Sequence, residues 1–168
     1  MSVLCSICGK SHDLGEISLG ADSPVQWQLL SEAERTKSEL SAEQCVIRSE
    51  GKTHFFVRAC LEIPIRGEND CFSWGVWVSL SEENYAEMTA HWSDPGRTTF
   101  GPYFGWLCTP IPPYPDTMFL KTMVHQRDVG LRPLVEIEPT EHPLALDQRL
   151  GISREKMGEM VCRVLHGM

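Results

Sequence analysis

Two long alternating runs in the middle of the chain constrain the fold more than any other feature. In Phe55, Val57, Ala59, Leu61, Ile63 and Ile65 the odd positions are apolar, while the even ones include His54, Arg58, Cys60 and Glu62. A period of two is the mark of a strand with one buried and one wet face. A second alternation sets Phe72, Trp74, Val76, Val78 and Leu80 against Ser73, Gly75 and Ser79. It follows the Gly67-Glu-Asn-Asp70 loop, so the two strands are expected to pair across it. A shorter strand around residues 45–48 reaches the first through a Glu50-Gly51 turn.

Helical signals flank these strands. Ser31-Glu-Ala-Glu34 has the spacing of a capping box, in which each side chain satisfies the other's exposed backbone donor, and predicts a short helix near 32–37. Ser81 caps a second helix, with Leu80 and Tyr85 spaced as a hydrophobic staple and Tyr85, Met88 and Trp92 on the inner face. Asp94-Pro-Gly96 ends it, because proline cannot extend the hydrogen-bond ladder. Pro143 behind His142 suits the first turn of a short helix. Ser153 opens the last one, where Met157, Met160, Val161, Val164 and Leu165 keep the i, i+3, i+4, i+7, i+8 spacing of a packed face. Residues 97–116, rich in glycine, proline and aromatics, read as a loop, with strands following at about 117–125 and 131–138. The fold class is therefore α+β: an antiparallel sheet of four to five strands with helices packed mainly on one face. With no internal repeat, residues 1–168 read as one domain, a knuckle over 1–12 and an α+β body over 13–168.

A chain of 168 residues buries about 70% of its unfolded surface and needs no disulfide framework. Its seven cysteines, Cys5, Cys8, Cys45, Cys60, Cys71, Cys108 and Cys162, are an odd number that suits reduced thiols and a metal site. No apolar run approaches the roughly 20 residues of a membrane span. The first residues lack a basic stretch followed by an apolar one, so a cytoplasmic location is the expectation. A net charge of −8 repels a phosphate backbone, so neither nucleic acid nor membrane is an expected partner. The same field favours a basic protein partner, although charge of this size also serves solubility.

The strongest chemical signal is Cys5-Ser-Ile-Cys8-Gly9, with His12 close behind. Two thiolates two residues apart grip one tetrahedral ion from a tight turn, and Gly9 lets backbone amides point back at the sulfurs. One knuckle supplies two of four ligands. His12 or isolated cysteines such as Cys45 and Cys60 must complete the site. Structural zinc, a metal-free knuckle and a redox pair compete as readings. The last is weakest, because a redox pair of the thioredoxin type follows a strand and opens a helix.

A second constellation is the polar face of the sheet: His54, Arg58, Cys60 and Glu62 on one strand, Lys121 and His125 on another, Glu136 and Glu138 on a third. If these strands adjoin, acids and bases share a concave surface, and Glu62, His125 or Glu136 is the candidate general base or acid. The alternative is a solvated face with cross-strand ion pairs. Arg58, Trp77, Tyr103 and Trp106 are the candidate binding residues, the last two within an aromatic stretch over 100–106 that reads either as a recognition platform or as a packed connection. Phosphate-loop, dinucleotide, zincin and serine-hydrolase motifs are missing from the sequence.

Several segments in order resemble one bacterial family. They are Cys5-x-x-Cys8-Gly9-Lys-x-His12, His54-Phe-Phe-Val-Arg58-Ala-Cys60-Leu-Glu62-Ile-Pro64, Trp74-Gly-Val-Trp77-Val-Ser-Leu-Ser81-Glu-Glu-Asn84, Tyr103-Phe-Gly-Trp106-Leu, Tyr114-Pro-Asp-Thr117 and Glu138-Pro-Thr-Glu-His142-Pro-Leu. The family is domain of unknown function 2199, and the resemblance runs from about residue 3 to 165. It implies a compact bacterial cytoplasmic domain and supplies neither an activity nor catalytic residues. The expected function is a non-enzymatic binding or interaction protein with a structural zinc site. A metal-assisted hydrolase or transferase using the polar sheet face is the second expectation, and an acidic, immunity-type inhibitor of a basic toxin the third.

Overall fold

The computed structural model describes residues 2–13 and 19–167. Its elements in chain order are β1 Ser2–Leu4, β2 Ser11–Asp13, α1 Val25–Gln28, α2 Glu32–Arg35, β3 Glu39–Leu40, β4 Gln44–Ser49, β5 Lys52–Pro64, β6 Cys71–Leu80, α3 Glu82–Ala90, β7 Tyr103–Leu107, β8 Lys121–His125, β9 Leu134–Ile137, α4 Pro143–Leu150 and α5 Arg154–Leu165.

The period-2 runs become the β5–β6 hairpin, paired antiparallel from Phe55↔Leu80 to Pro64↔Cys71. Ser49 pairs with Lys52 across the two-residue turn into β5, and both turn residues sit at positive φ, 51° for Glu50 and 72° for Gly51. That geometry matches the right-handed twist of the flanking strands. The sheet is not the open antiparallel one expected, because it does not stop at an edge. Strands β3 to β9 form one seven-stranded sheet in sequence order, and β9 returns to lie parallel to β5 through Cys60↔Leu134 and Leu61↔Val135. This contact closes β5 to β9 into a five-stranded barrel. Closure pairs the outer side of β9 with the end of β5 that β4 leaves uncovered.

Residues 97–116 are not a loop throughout. A 3-10 turn at Arg97–Thr99 leads into β7, whose alternating burial places Tyr103, Gly105 and Leu107 inward and Phe104 and Trp106 outward. A glycine at an inward position hides that alternation from a count of apolar residues. The strand expected over 117–125 is limited to β8, because Thr117 turns inward and accepts from the Ile111 amide at 3.0 Å. The buried Arg97 donates to the carbonyls of Trp92, Arg127, Asp128 and Leu131, which fixes residues 127–131 as a turn ahead of β9.

The inward rows merge with Met88 of α3, Leu144 and Ala145 of α4, and Met157, Met160 and Val161 of α5 into the main core. The helices are not confined to one side. Phe56 and Trp77, on the outward face of β5 and β6, form a second cluster with Cys45, Ile47 and Cys108, covered by Ala21, Trp27 and Leu30. The cover approaches β6 through Gly20 and Gly75, where a Cβ on Gly20 would stand 2.6 Å from the Gly75 carbonyl oxygen. Only a glycine at position 20 lets the chains come this close. Among the described residues no helix is long and apolar enough to cross a membrane.

Candidate metal centre

The N-terminal hairpin holds the knuckle. Val3 pairs with His12 and Leu4 with Ser11, and the connection between them is tied by Cys5 N–H to the Lys10 carbonyl at 2.8 Å and Gly9 N–H to the Cys5 carbonyl at 2.9 Å. Gly9 takes φ 69°, the left-handed conformation that such a tight return requires. The Ile7 amide points at the Cys5 sulfur at 3.4 Å, as a thiolate held from a turn requires.

The hairpin lies along α5. Val3 is buried in the main core and faces Gly158, where an added Cβ would meet Val3 Cγ1 at 3.0 Å. One and two turns further along the same helix stripe stand Cys162 and His166, at i+4 and i+8 from the glycine. Contact at Gly158 therefore sets Cys162 beside Cys5 and brings the His166 ring over the knuckle. Cys5 Sγ is 3.3 Å from His166 Nε2, and Cys8 Sγ is 3.3 Å from His12 Nε2. The two imidazoles stand edge to face with centroids 6.4 Å apart.

The ligand atoms of Cys5, Cys8, His12 and His166 all lie within 4.8 Å of one another. Metal–sulfur bonds of about 2.3 Å and metal–nitrogen bonds of about 2.0–2.1 Å make a tetrahedron with edges of about 3.3–3.8 Å, so a small contraction of this cluster encloses an ion. The four residues can hold a metal ion. Cys5 is buried while Cys8 and His166 are exposed, so the site opens to solvent on one side. Burial acts to raise the Cys5 thiol, but hydrogen bonds from the Cys8 amide, the Cys162 thiol, the Ile7 amide and the Cys8 thiol outweigh it and bring the value down to about 5. Cys162 shifts the other way, pushed up by burial and by its hydrogen bond to Cys5. The arrangement thus favours a thiolate at Cys5 with a neutral thiol behind it.

The other expected ligands lie elsewhere. Cys45 is buried in the second cluster, where desolvation raises its thiol to about 12. Cys60 lines a cleft with Glu43, Trp92, Arg97, Arg127 and Arg132. The ligand that sequence reasoning missed is His166, and its available signal was Cys162-x-x-x-His166, one helical turn apart and so on one face.

The polar residues share the outer wall, where Cys60 lines one cleft and Lys121, Glu136 and Glu138 line another. His125 Nε2 meets Glu136 Oε2 at 3.0 Å, Arg127 donates to Glu62 at 2.9 Å, and Lys121 stands 3.9 Å from Glu138. None of Glu62, His125 and Glu136 belongs to the Cys/His cluster. Of the candidate binding residues, Trp77 is buried with its indole N–H donated to the Ala21 carbonyl at 3.0 Å, and Tyr103 is buried in the main core. Arg58 is mostly covered and stands 3.5 Å from Asp22. Trp106 is 40% exposed, beside Phe104 at 42% and Phe119 at 59%.

No curated protein and no solved structure matches the chain. A family of uncharacterized proteins conserved in bacteria matches residues 4–152, a stretch that contains Cys5, Cys8 and His12 and stops short of His166. That stretch is most of the chain, which therefore belongs to the bacterial family domain of unknown function 2199.

Proposed function

We propose that this chain is a non-enzymatic binding protein whose hairpin and last helix are clasped by a structural zinc ion held by Cys5, Cys8, His12 and His166. The carrying observation is the convergence of these four donors within 4.8 Å. Two thiolates and two imidazoles in a tetrahedral set suit zinc, and four protein ligands leave no open position for a substrate or an activated water. The ion ties a three-residue strand pair to the end of a helix, which is a stabilising role.

Binding falls to the outer wall, where Phe104 and Trp106 of β7 pack edge to face at 5.2 Å and remain exposed. A metal-assisted hydrolase is less favoured, because His125 and Glu136 are engaged with each other and Glu62 with Arg127. The toxin-inhibitor reading is also less favoured, since Glu43, Glu62, Glu68 and Asp147 already serve Arg132, Arg127, Arg154 and Lys156. Elemental analysis of untagged protein tests the clasp. The expected result is about one zinc per chain, lost in Cys5→Ser/Cys8→Ser and reduced in His166→Ala. Wild-type protein free of metal after growth with added zinc would overturn it.

A further inference from the structure

The geometry points to a small-molecule site on the outer wall, built for a planar aromatic ring that bears an N–H or O–H donor. It rests on the reading of the chain as a binding protein and names the class of ligand.

Phe56, Ser79 and Trp106 are direct cross-strand neighbours on β5, β6 and β7, through Phe56↔Ser79 and Ser79↔Trp106. The α1 cover ends beside this row. Where it ends, a cleft of about 520 Å³ is lined by Gln26, His54, Phe56, Ser79, Trp106 and Phe119. That volume lies in the range of small-ligand sites. Three of the six lining residues are aromatic, and ring faces at this density accept a flat ring by stacking or edge contact.

Phe119 adds a second observation. It takes φ 62°, a conformation that a bulky side chain adopts only when its surroundings impose it, and its amide is tied to the Leu107 carbonyl at 2.7 Å. The ring is thereby held at the cleft while more than half exposed. Strained, exposed positions of this kind concentrate where ligands bind.

A third observation is polar. Gln26 donates through Nε2 to Cys108 Sγ at 3.3 Å, and Cys108 donates its own proton to the Trp106 carbonyl at 3.3 Å. In this arrangement the amide nitrogen faces the sulfur, whose one proton goes to the Trp106 carbonyl. Gln26 Oε1 is left shielded from solvent with no donor among the described residues. A buried acceptor without a partner is costly, and a ligand N–H supplies what is missing. Among the described residues no carboxylate lines the cleft although the chain carries −8, so a cationic ring has no counter-charge from them and the site suits a neutral or anionic one.

Indole and 1-methylindole make the test, because they share a ring and differ in the donor. Titration into labelled wild-type protein is followed by two-dimensional nuclear magnetic resonance at the Trp106 indole N–H and the Gln26 side-chain amide. Indole is expected to shift both saturably and to bind at least tenfold more tightly than 1-methylindole. Trp106→Ala and Phe119→Gly should each weaken indole at least tenfold, and Gln26→Leu should bring the indole to 1-methylindole ratio close to one. Equal binding of the two probes, shifts confined to other surfaces, or no saturable shift up to the solubility limit would each overturn the site. Zinc content measured on the same samples separates the two readings. One zinc without ring binding overturns the cleft alone, and ring binding without zinc overturns the clasp alone.

Discussion

The Cys/His cluster and the polar outer wall contain the same classes of side chain, and they are assembled in opposite ways. On the wall each acid faces a base or cation: His125 with Glu136, Arg127 with Glu62, Lys121 with Glu138. In the cluster four donors that could hold a metal ion face one another. A set of complementary pairs is already satisfied and asks for nothing more. Four converging lone-pair donors acquire stability from a shared cation, which binds the folded state and not the unfolded one. Composition alone therefore does not mark a site, since the wall's richer stock of acids and bases is already paired.

The largest expected break in this comparison is loss of the clasp. Free zinc at a thousandfold excess over its dissociation constant stabilises the folded state by about 4 kcal/mol. For a chain of this size each kcal/mol moves the midpoint by about 2–4 °C, so Cys5→Ser/Cys8→Ser should melt roughly 8–16 °C lower by calorimetry. An equal midpoint with and without a chelator would make the cluster no different from the wall. The next effect is steric. Gly158→Leu places a side chain where a Cβ alone stands 3.0 Å from Val3 Cγ1, and should cost about 1–3 kcal/mol while speeding zinc release to a chelator. Unchanged release would show that Val3 and Gly158 do not hold the hairpin against the helix.

How much of this was legible depended on how local each signal is. The β5–β6 hairpin, the Glu50-Gly51 turn and the Ser31, Ser81 and Ser153 caps are each written within a few residues, and each forms where its pattern places it. Barrel closure has no local signature, since it consists of the two pairs Cys60↔Leu134 and Leu61↔Val135 far apart in the chain. Strand β7 was obscured by Gly105, which occupies an inward position without being apolar. The metal cluster divides along the same line. Cys5, Cys8 and His12 announce themselves by spacing, whereas His166 arrives from 161 residues beyond Cys5 and is identified only once α5 packs on the hairpin.

On the wall, smaller effects are expected. A double-mutant cycle on His125→Ala and Glu136→Ala should return a coupling of about 1 kcal/mol or less, because both partners are solvated and screened. A coupling several times larger would restore the pair as a candidate acid–base couple.

The smallest effect belongs to Glu34, whose carboxylate is satisfied locally. Hydrogen bonds from the Ser49 hydroxyl and from the Ser31 hydroxyl and amide hold it down at about 2, against an ordinary value of 4.5. A carboxylate that ionises more readily when folded contributes stability that is complete above its unfolded value and is lost as pH falls towards its folded one. The stability difference between wild type and Glu34→Gln should therefore be steady above about pH 5, shrink between pH 4.5 and about 2, and level off below. The group is only partly covered, so the change is small and is read as the shape of that difference, measured by urea unfolding across the window. A difference that stays flat through the window would show that the Ser31 and Ser49 bonds are no stronger than the water they replace, and would place Glu34 with the screened pairs of the wall.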